Sequence, residues 1–289
     1  MPDDWSRYWR SADMPLEAMY AHFERHIYHR HSHEGYSFGV TEEGAQSFRC
    51  RGAGHTSVTG MVMAFNPDDP HDGHPTDELG FTYRIIHIGT DLVAGVLADI
   101  TGRPARLPLF TRPVLTDPVL ARNLTALHRA LLGGASALRR DELLAAVVGS
   151  MARRATVRPA VSAGARPRAG ATAARRAREM IDATAGADFT TAQLAEVAGC
   201  SRFALHRAFT AAYLMTPGDY QRQVRLRSAR RLIAQGWSIS DAAANAGFAD
   251  QSHLTRWFGR YYGITPGGYQ HAVAAAGPGP VPRRYAASR

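Results

Sequence analysis

Lysine is absent from this sequence: all 34 of its basic residues are arginine. We read that as the coding bias of a GC-rich genome rather than as a functional device. Cysteine is nearly absent too. Cys50 and Cys200 lie far apart, which leaves no disulfide framework or cysteine-based zinc module and fits a reducing compartment. No run approaches 18 uninterrupted apolar residues, and the start, MPDDWSRYWR, is polar and acidic where a secretory signal would be basic and then apolar. The expectation is a soluble, cytoplasmic protein with no membrane partner. A G-x-S-x-G nucleophile elbow, a P-loop and a dinucleotide fingerprint are all missing, so no enzyme of those classes is indicated.

What is present is a charge asymmetry. The chain has 289 residues, enough for two domains, and a formal net charge of +9. Residues 1–150 hold 14 Arg against 18 acidic residues, a net of −4, whereas residues 151–289 hold 20 Arg against 7, a net of +13. The second half is therefore the candidate for a polyanionic partner.

Organisation follows the same division. From about 28 to 90, short apolar runs (YSFGV, SFRC, VMAF, FTYRIIHI) are broken by Gly, Pro and Asp, the pattern of a β-rich barrel or sandwich. Two amphipathic helices follow. The first has Pro118 at its start and Leu120, Leu124, Leu127 and Leu131 on one stripe; the second carries Leu144, Val147, Val148 and Met151. They suit packing on the barrel or pairing with a second chain. Residues 156–172 read as a flexible Ala/Gly/Pro/Arg linker between a domain over 1–155 and a helical one over 173–272, and 273–289 as a disordered tail.

The helical half contains an internal repeat. SRFALHRAFTAAYLMTPGDY (201–220) and DQSHLTRWFGRYYGITPGGY (250–269) align at a constant offset of 49 with eight identities in 20 positions. Each copy reads as helix, tight turn, helix. Thr190 with Gln193 forms a capping box in the first copy, and Ser201 and Asp250 cap the second helix of each unit. Leu205 and Phe209, like Leu254 and Phe258, fall at i and i+4 and should face a core. Phe248 and Trp257 also read as core. Arg202, Phe203, His206 and Arg207 on one helix, and Gln251, Ser252, His253, Thr255 and Arg256 on the other, are left to face a partner. These side chains suit phosphates and base edges, and arginine matches guanine O6 and N7 together. Between the copies, Arg222, Arg225, Arg227, Arg230 and Arg231 fall on several faces of one long helix, so only some are expected to reach DNA.

Residues 173–272 thus resemble the DNA-binding domain of the AraC/XylS family of bacterial transcription regulators, with GFADQSHLTRWFGRYYGITPGGY very similar to the family signature. That resemblance implies a sequence-specific DNA-binding regulator whose two recognition helices enter successive major grooves over roughly 20 base pairs. It extends more weakly to the front half, where His31, Ser32, His33 and the GMVMAFNPDDPH segment ending at His71 are similar to the two half-motifs of a cupin-like barrel, the fold of AraC-type sensor domains. The fold class implied is two-domain α+β, a cupin-like β-barrel with flanking helices followed by an all-α double helix-turn-helix. Metal-binding cupins add a glutamate a few residues after the H-x-H pair. Here Ser37 and Phe38 stand in its place, Glu34 has the wrong parity, and Glu42 and Glu43 come too late. His31, His33, Tyr36, His71 and Arg84 are therefore read as lining an effector pocket, with no metal and no cofactor expected, while His29 and His74 read as surface residues.

The leading expectation is a ligand-responsive transcription regulator and not an enzyme. The alternative is a cupin-type metalloenzyme fused to a DNA-binding domain. The partners expected are double-stranded promoter DNA, a small-molecule effector, a second copy of the chain and RNA polymerase.

Overall fold

The computed structural model describes residues 4–154, 169–184 and 186–276. One long strand, β4 (Tyr36–Cys50), organises the front half. Its first part pairs antiparallel with β8 (Phe81–Ile88) and β6 (Val62–Phe65), and its second part with β5 (Ala53–Val58) and β7 (His71–Pro75). Between the two parts the register shifts at Thr41/Glu43, and Gly44 adopts φ 69°. A Cβ on Gly44 would lie 2.1 Å from the carbonyl oxygen of Gly80, so the bend needs glycine. The extra residue also inverts the parity of the strand. Tyr36, Phe38 and Val40 enter one core, whereas Phe48 and Cys50, also at even positions, enter the other.

β1 (Trp5–Arg10), β2 (Leu16–Phe23) and the short β9 (Val114–Leu115) extend the sheet in the order β1-β2-β8-β4-β6-β9, and β3 (Tyr28–His31) pairs with β7. Among the described residues no ladder closes this sheet on itself. It is a β-rich domain folded about the β4 bend, and the closed barrel expected from the sequence is not what the pairing gives. β1 and β2 also precede the stretch read as β-rich. The pattern of β2 is muted because the strand carries core residues on both faces, Leu16 and Ala18 on one and Met19, Ala21 and Phe23 on the other.

Helices cover the outer face: α1 (Thr90–Thr101), α2 (Pro118–Leu132) and α3 (Ala137–Arg154). α2 starts where expected, with Pro118 in the first turn and the Asp117 carboxylate accepting from the amides of Val119 and Leu120. Its four-leucine stripe and the α3 stripe bury against Tyr36, Phe38, Ile86 and Ile88. Those stripes are spent within the chain, so a second copy would have to meet a different surface.

His128 of α2 is fully buried, donating from Nε2 to the Met19 carbonyl (2.9 Å) and accepting at Nδ1 from Arg84 Nη1 (3.1 Å). Burial, against the opposing bond to Met19, lowers its pKa to about 4. The unfolded chain, with an ordinary histidine, binds the extra proton between about pH 6.5 and 4, so His128 removes stability as pH falls through that window, up to about 3 kcal/mol. His128→Gln should therefore unfold at lower pH than the parent in an acid titration followed by circular dichroism; an unchanged acid midpoint would contradict the assignment.

The second half is helical: α4 (Ala169–Ala183), α5 (Thr191–Ala198), α6 (Arg202–Tyr213), α7 (Pro217–Ala234), α8 (Ile239–Asn245), α9 (Gln251–Tyr262) and α10 (Pro266–Ala276). Both capping arrangements form. Thr190 and Gln193 make the reciprocal box, and Ser201 and Asp250 accept from the amides of Ala204 and His253. α4 begins at Ala169, so the last residues assigned to the linker are helical, and α10 runs to Ala276, four residues into the stretch read as tail. Residues 155–168 and 277–289 lie outside the described residues.

The two repeat units are held differently. α4, α5 and α6 close a core of their own with the start of α7, around Ala174, Ile181, Leu194, Leu205 and Phe209. The core of the second unit, around Leu226, Ile233, Leu254 and Phe258, is instead continuous with the inner face of the sheet through Tyr261, Ile264, Phe23 and Tyr83. The halves approach closely at Gly263 (φ 68°), where a Cβ would lie 2.3 Å from Tyr28 Oη. Polar contacts reinforce the junction. Gln223, 2% exposed, exchanges two hydrogen bonds with Ser32, at 2.7 Å and 2.9 Å, and Arg230 pairs with Glu17 and donates to Tyr8 Oη at 2.8 Å.

Candidate nucleic-acid interface and ligand cavity

α6 and α9 bury the positions their spacing assigns to the core, Leu205, Phe209, Leu254 and Phe258 all being fully buried. The opposite face of α6 carries Arg202, Phe203, His206 and Arg207, all exposed, with Phe203 82% accessible. On α9, Gln251, Ser252 and Arg256 are exposed, while His253 and Thr255 are half-buried. His253 leans on Phe248, ring centroids 5.5 Å apart, so it also shapes the turn. Phe248 is core as expected. Trp257 is half-buried instead, sandwiched under the Arg222 guanidinium at 3.8 Å and against His29 at 5.2 Å.

Electrostatics separates the arginines. Arg202, Arg207 and Arg256 have no acidic partner among the described residues. On α7, Arg222 pairs with Asp219, Arg225 with Asp188, Arg227 with Asp68 and Arg230 with Glu17, leaving Arg231 exposed and without an acidic partner among the described residues. The uncompensated guanidinium groups of α6 and α9 are those free to meet a phosphate or a guanine edge.

Behind α9 lies a cavity of about 60 Å³ between the sheet and the helical half. Its polar end is histidine. The β3 strand and the turn after it bring up His31 and His33, β7 brings His71, and β8 brings His87. One ligand atom from each of His31, His33 and His71 lies within 4.8 Å of the others, and the His33 and His87 rings are 4.5 Å apart. Burial pulls all four below the usual histidine range, with repulsion from a neighbouring imidazole next at His31 and His33; His71 and His87 are lowered to about 4, so all four stand neutral at pH 7. The apolar end is formed by Met19, Phe48, Met63 and Phe65, with the hydrogen-bonded pair Tyr28 and Tyr83 (2.7 Å) alongside. Arg230, Tyr261, Tyr262 and Ile264 close it from the helical half.

Two residues assigned to the pocket are elsewhere. Tyr36 faces the helix-covered side of the sheet and donates to the Pro108 carbonyl at 2.5 Å; Arg84, also of outer-face parity, pairs with Glu42 at 2.5 Å and lies 3.9 Å over the Tyr20 ring. Strand parity is the reason. Phe81, Tyr83, Ile85 and His87 share the inner face of β8, so Tyr83 marked His87 as the pocket residue and Arg84 as its opposite. Arg230, Tyr261 and Tyr262 carried no local signal, because they reach the cavity only through the docking of the two halves.

Residues 14–148 match the protein-family model described as AraC-like ligand binding domain, and residues 194–272 match that of a helix-turn-helix domain. The uncharacterized HTH-type transcriptional regulator YbfI of Bacillus subtilis is 30% identical over 224 residues, spanning 78% of this chain and 80% of that protein. The transcriptional activator NphR of a Rhodococcus species is 37% identical over 92 residues, 32% of this chain and 27% of its own length. Among solved structures, ToxT of Vibrio cholerae bound to (E)-4-(8-methylnaphthalen-1-yl)but-3-enoic acid aligns with TM-score 0.53 at 12% identity, over 93% of this chain and 99% of that one. ToxT bound to an unsaturated fatty acid gives 0.51 at 9% identity, over 94% and 96%. At such identities the likeness is one of fold.

Proposed function

The chain belongs to the AraC family of helix-turn-helix transcriptional regulators, and we propose that it reads promoter DNA through α6 and α9 and takes a small-molecule effector in the cavity behind α9. The observation that carries the DNA reading is the pair Arg207 and Arg256. They are equivalent in the repeat, both exposed, and both without an acidic partner among the described residues. Arg202, Phe203 and His206 flank the first, and Gln251, Ser252, His253 and Thr255 the second. The metalloenzyme alternative draws no support from YbfI or NphR, both named as transcriptional regulators. No helix among the described residues is long and apolar enough to cross a membrane.

For the effector, the cavity behind α9 combines apolar walls with a few convergent polar groups, the lining expected of a small-molecule site. His31, His33 and His71 line it; Tyr36 and Arg84 drop out of the proposal. Occupancy would bear on DNA binding because Arg230 and Tyr261 wall the cavity and belong to the helices that carry the second unit. ToxT, of the same fold, is known with acid-bearing ligands. We further propose RNA polymerase as the machinery through which bound protein acts, and a homodimer as the form that occupies tandem sites.

The DNA reading is tested by fluorescence anisotropy on a selected site and on random duplex. Arg207→Ala and Arg256→Ala should each lose about 1–3 kcal/mol on the selected site and far less on random DNA. Equal losses on both would reduce the two arginines to phosphate contacts.

A further inference from the structure

We propose that His31, His33 and His71 form a binding site for one divalent transition-metal ion of the zinc type at the polar end of the cavity. The proposal goes beyond the effector reading and stands whether or not an organic effector binds there. Metal was set aside on the sequence because no glutamate completes the H-x-H pair; the structure places a fourth imidazole, His87, beside His33 where an acidic ligand was sought.

Three observations carry it. First, the ligand atoms already converge within 4.8 Å of one another, from strands whose pairing fixes His31 opposite His71. Tetrahedral zinc with bonds of about 2.05 Å sets its ligands roughly 3.4 Å apart, so ring rotations of modest size close the set. Second, the outer nitrogens are already oriented. His31 Nδ1 donates to the His29 carbonyl at 2.6 Å and His71 Nδ1 to the Asp69 carbonyl at 2.8 Å, each a bond to the residue two positions back. That fixes both rings in the tautomer whose Nε2 offers a lone pair, the arrangement that supports metal-bound histidines. Phe65, stacked on His71 at 3.8 Å and 2°, locks the ring plane. Third, His31 and His71 are only 5% and 4% exposed, so an ion held between them would be shielded from competing water.

The surrounding charges permit a cation. Arg230 lines the cavity and Glu17 neutralises it; Asp72 lines it too, accepting from the Arg49 amide and pairing with Arg30. Three neutral imidazoles select zinc and its borderline neighbours and not magnesium or calcium, which take oxygen ligands.

The test is zinc binding to the full-length, chelator-stripped protein, measured by equilibrium dialysis and calorimetry. We expect one equivalent with a submicromolar Kd. His31→Gln and His71→Gln, which preserve packing, should each weaken it at least a hundredfold, whereas His74→Ala, exposed on the same strand as His71, should not. Zinc should raise the melting temperature of the parent and of His74→Ala but not of the two glutamine variants, and metal-free melts of all four report whether each is folded. Cobalt should give the intense visible bands of a tetrahedral nitrogen site. Stoichiometry below a fifth of an equivalent, or undiminished zinc affinity in folded His31→Gln or His71→Gln, would overturn the proposal. An effector screen read by DNA binding would be untouched by either outcome.

Discussion

Phe209→Ala and Phe258→Ala are expected each to cost about 3–5 kcal/mol and to unfold different parts of the molecule. The two phenylalanines are equivalent in the repeat and both fully buried. Phe209 sits in a core closed by α4, α5, α6 and the start of α7, which holds nothing from the sheet. Phe258 sits in a core that runs from α8 and α9 into Phe23, Phe81 and Tyr83 of the front half. Losing the first ring should therefore release the first helix-turn-helix unit in a separate, early transition with a small denaturant slope, leaving the sheet and α9 protected from hydrogen exchange. Losing the second should lower the main transition, sheet included. A single, identical transition for both variants would mean that the two units share one cooperative core after all.

Glu17→Ala is the second large effect, about 3 kcal/mol, because it strands the Arg230 guanidinium in the junction with only Tyr8 and its aromatic neighbours. Replacing both partners, as in Glu17→Ala with Arg230→Met, should recover most of that loss, since an apolar pair no longer leaves a charge unmatched. Burial is the largest influence and pushes the Glu17 carboxyl up, but Arg230 and, behind it, His87, Tyr8 and Arg10 together outweigh burial and hold the group below its ordinary 4.5. A carboxylate with a depressed folded pKa contributes stability above the unfolded value and loses it as pH falls through the folded one. The gap between parent and Glu17→Ala should thus be full at pH 7 and narrow below about pH 4. A gap independent of pH, or a double variant no more stable than the single, would show that the ion pair is not what Glu17 contributes. The same variant should also loosen the wall of the cavity, since Arg230 closes it.

The helical half was legible because its information is local. Caps at Thr190, Ser201 and Asp250, the i and i+4 pairs of each unit and the 49-residue offset all act within one or two turns of helix, so they survive in a bare sequence. The front half was legible only in outline. Its central strands β2, β6 and β8 are buried on both faces and its longest one changes parity at a bulge, so alternation gives no reliable inside and outside. Tyr36 and Arg84 carry polar groups that would suit a ligand pocket, but strand parity sends both to the far side of the sheet. His31, His33 and His71 come together because the β3 and β7 pairing sets His31 opposite His71. The remaining wall of the cavity, Arg230 with Tyr261 and Tyr262, depends on how two halves dock across some 200 residues of chain, and no spacing in the sequence encodes that.

The central claim is that α6 and α9 both read DNA, and selection from a randomised duplex pool by the purified full-length protein tests it most directly. The expected result is two enriched sequence blocks centred about 10–10.5 base pairs apart, one helical turn. Arg207→Ala should erase one block and Arg256→Ala the other, each leaving its neighbour intact. A pool without enrichment, or one block that disappears in Arg256→Ala and is indifferent to Arg207→Ala, would contradict it.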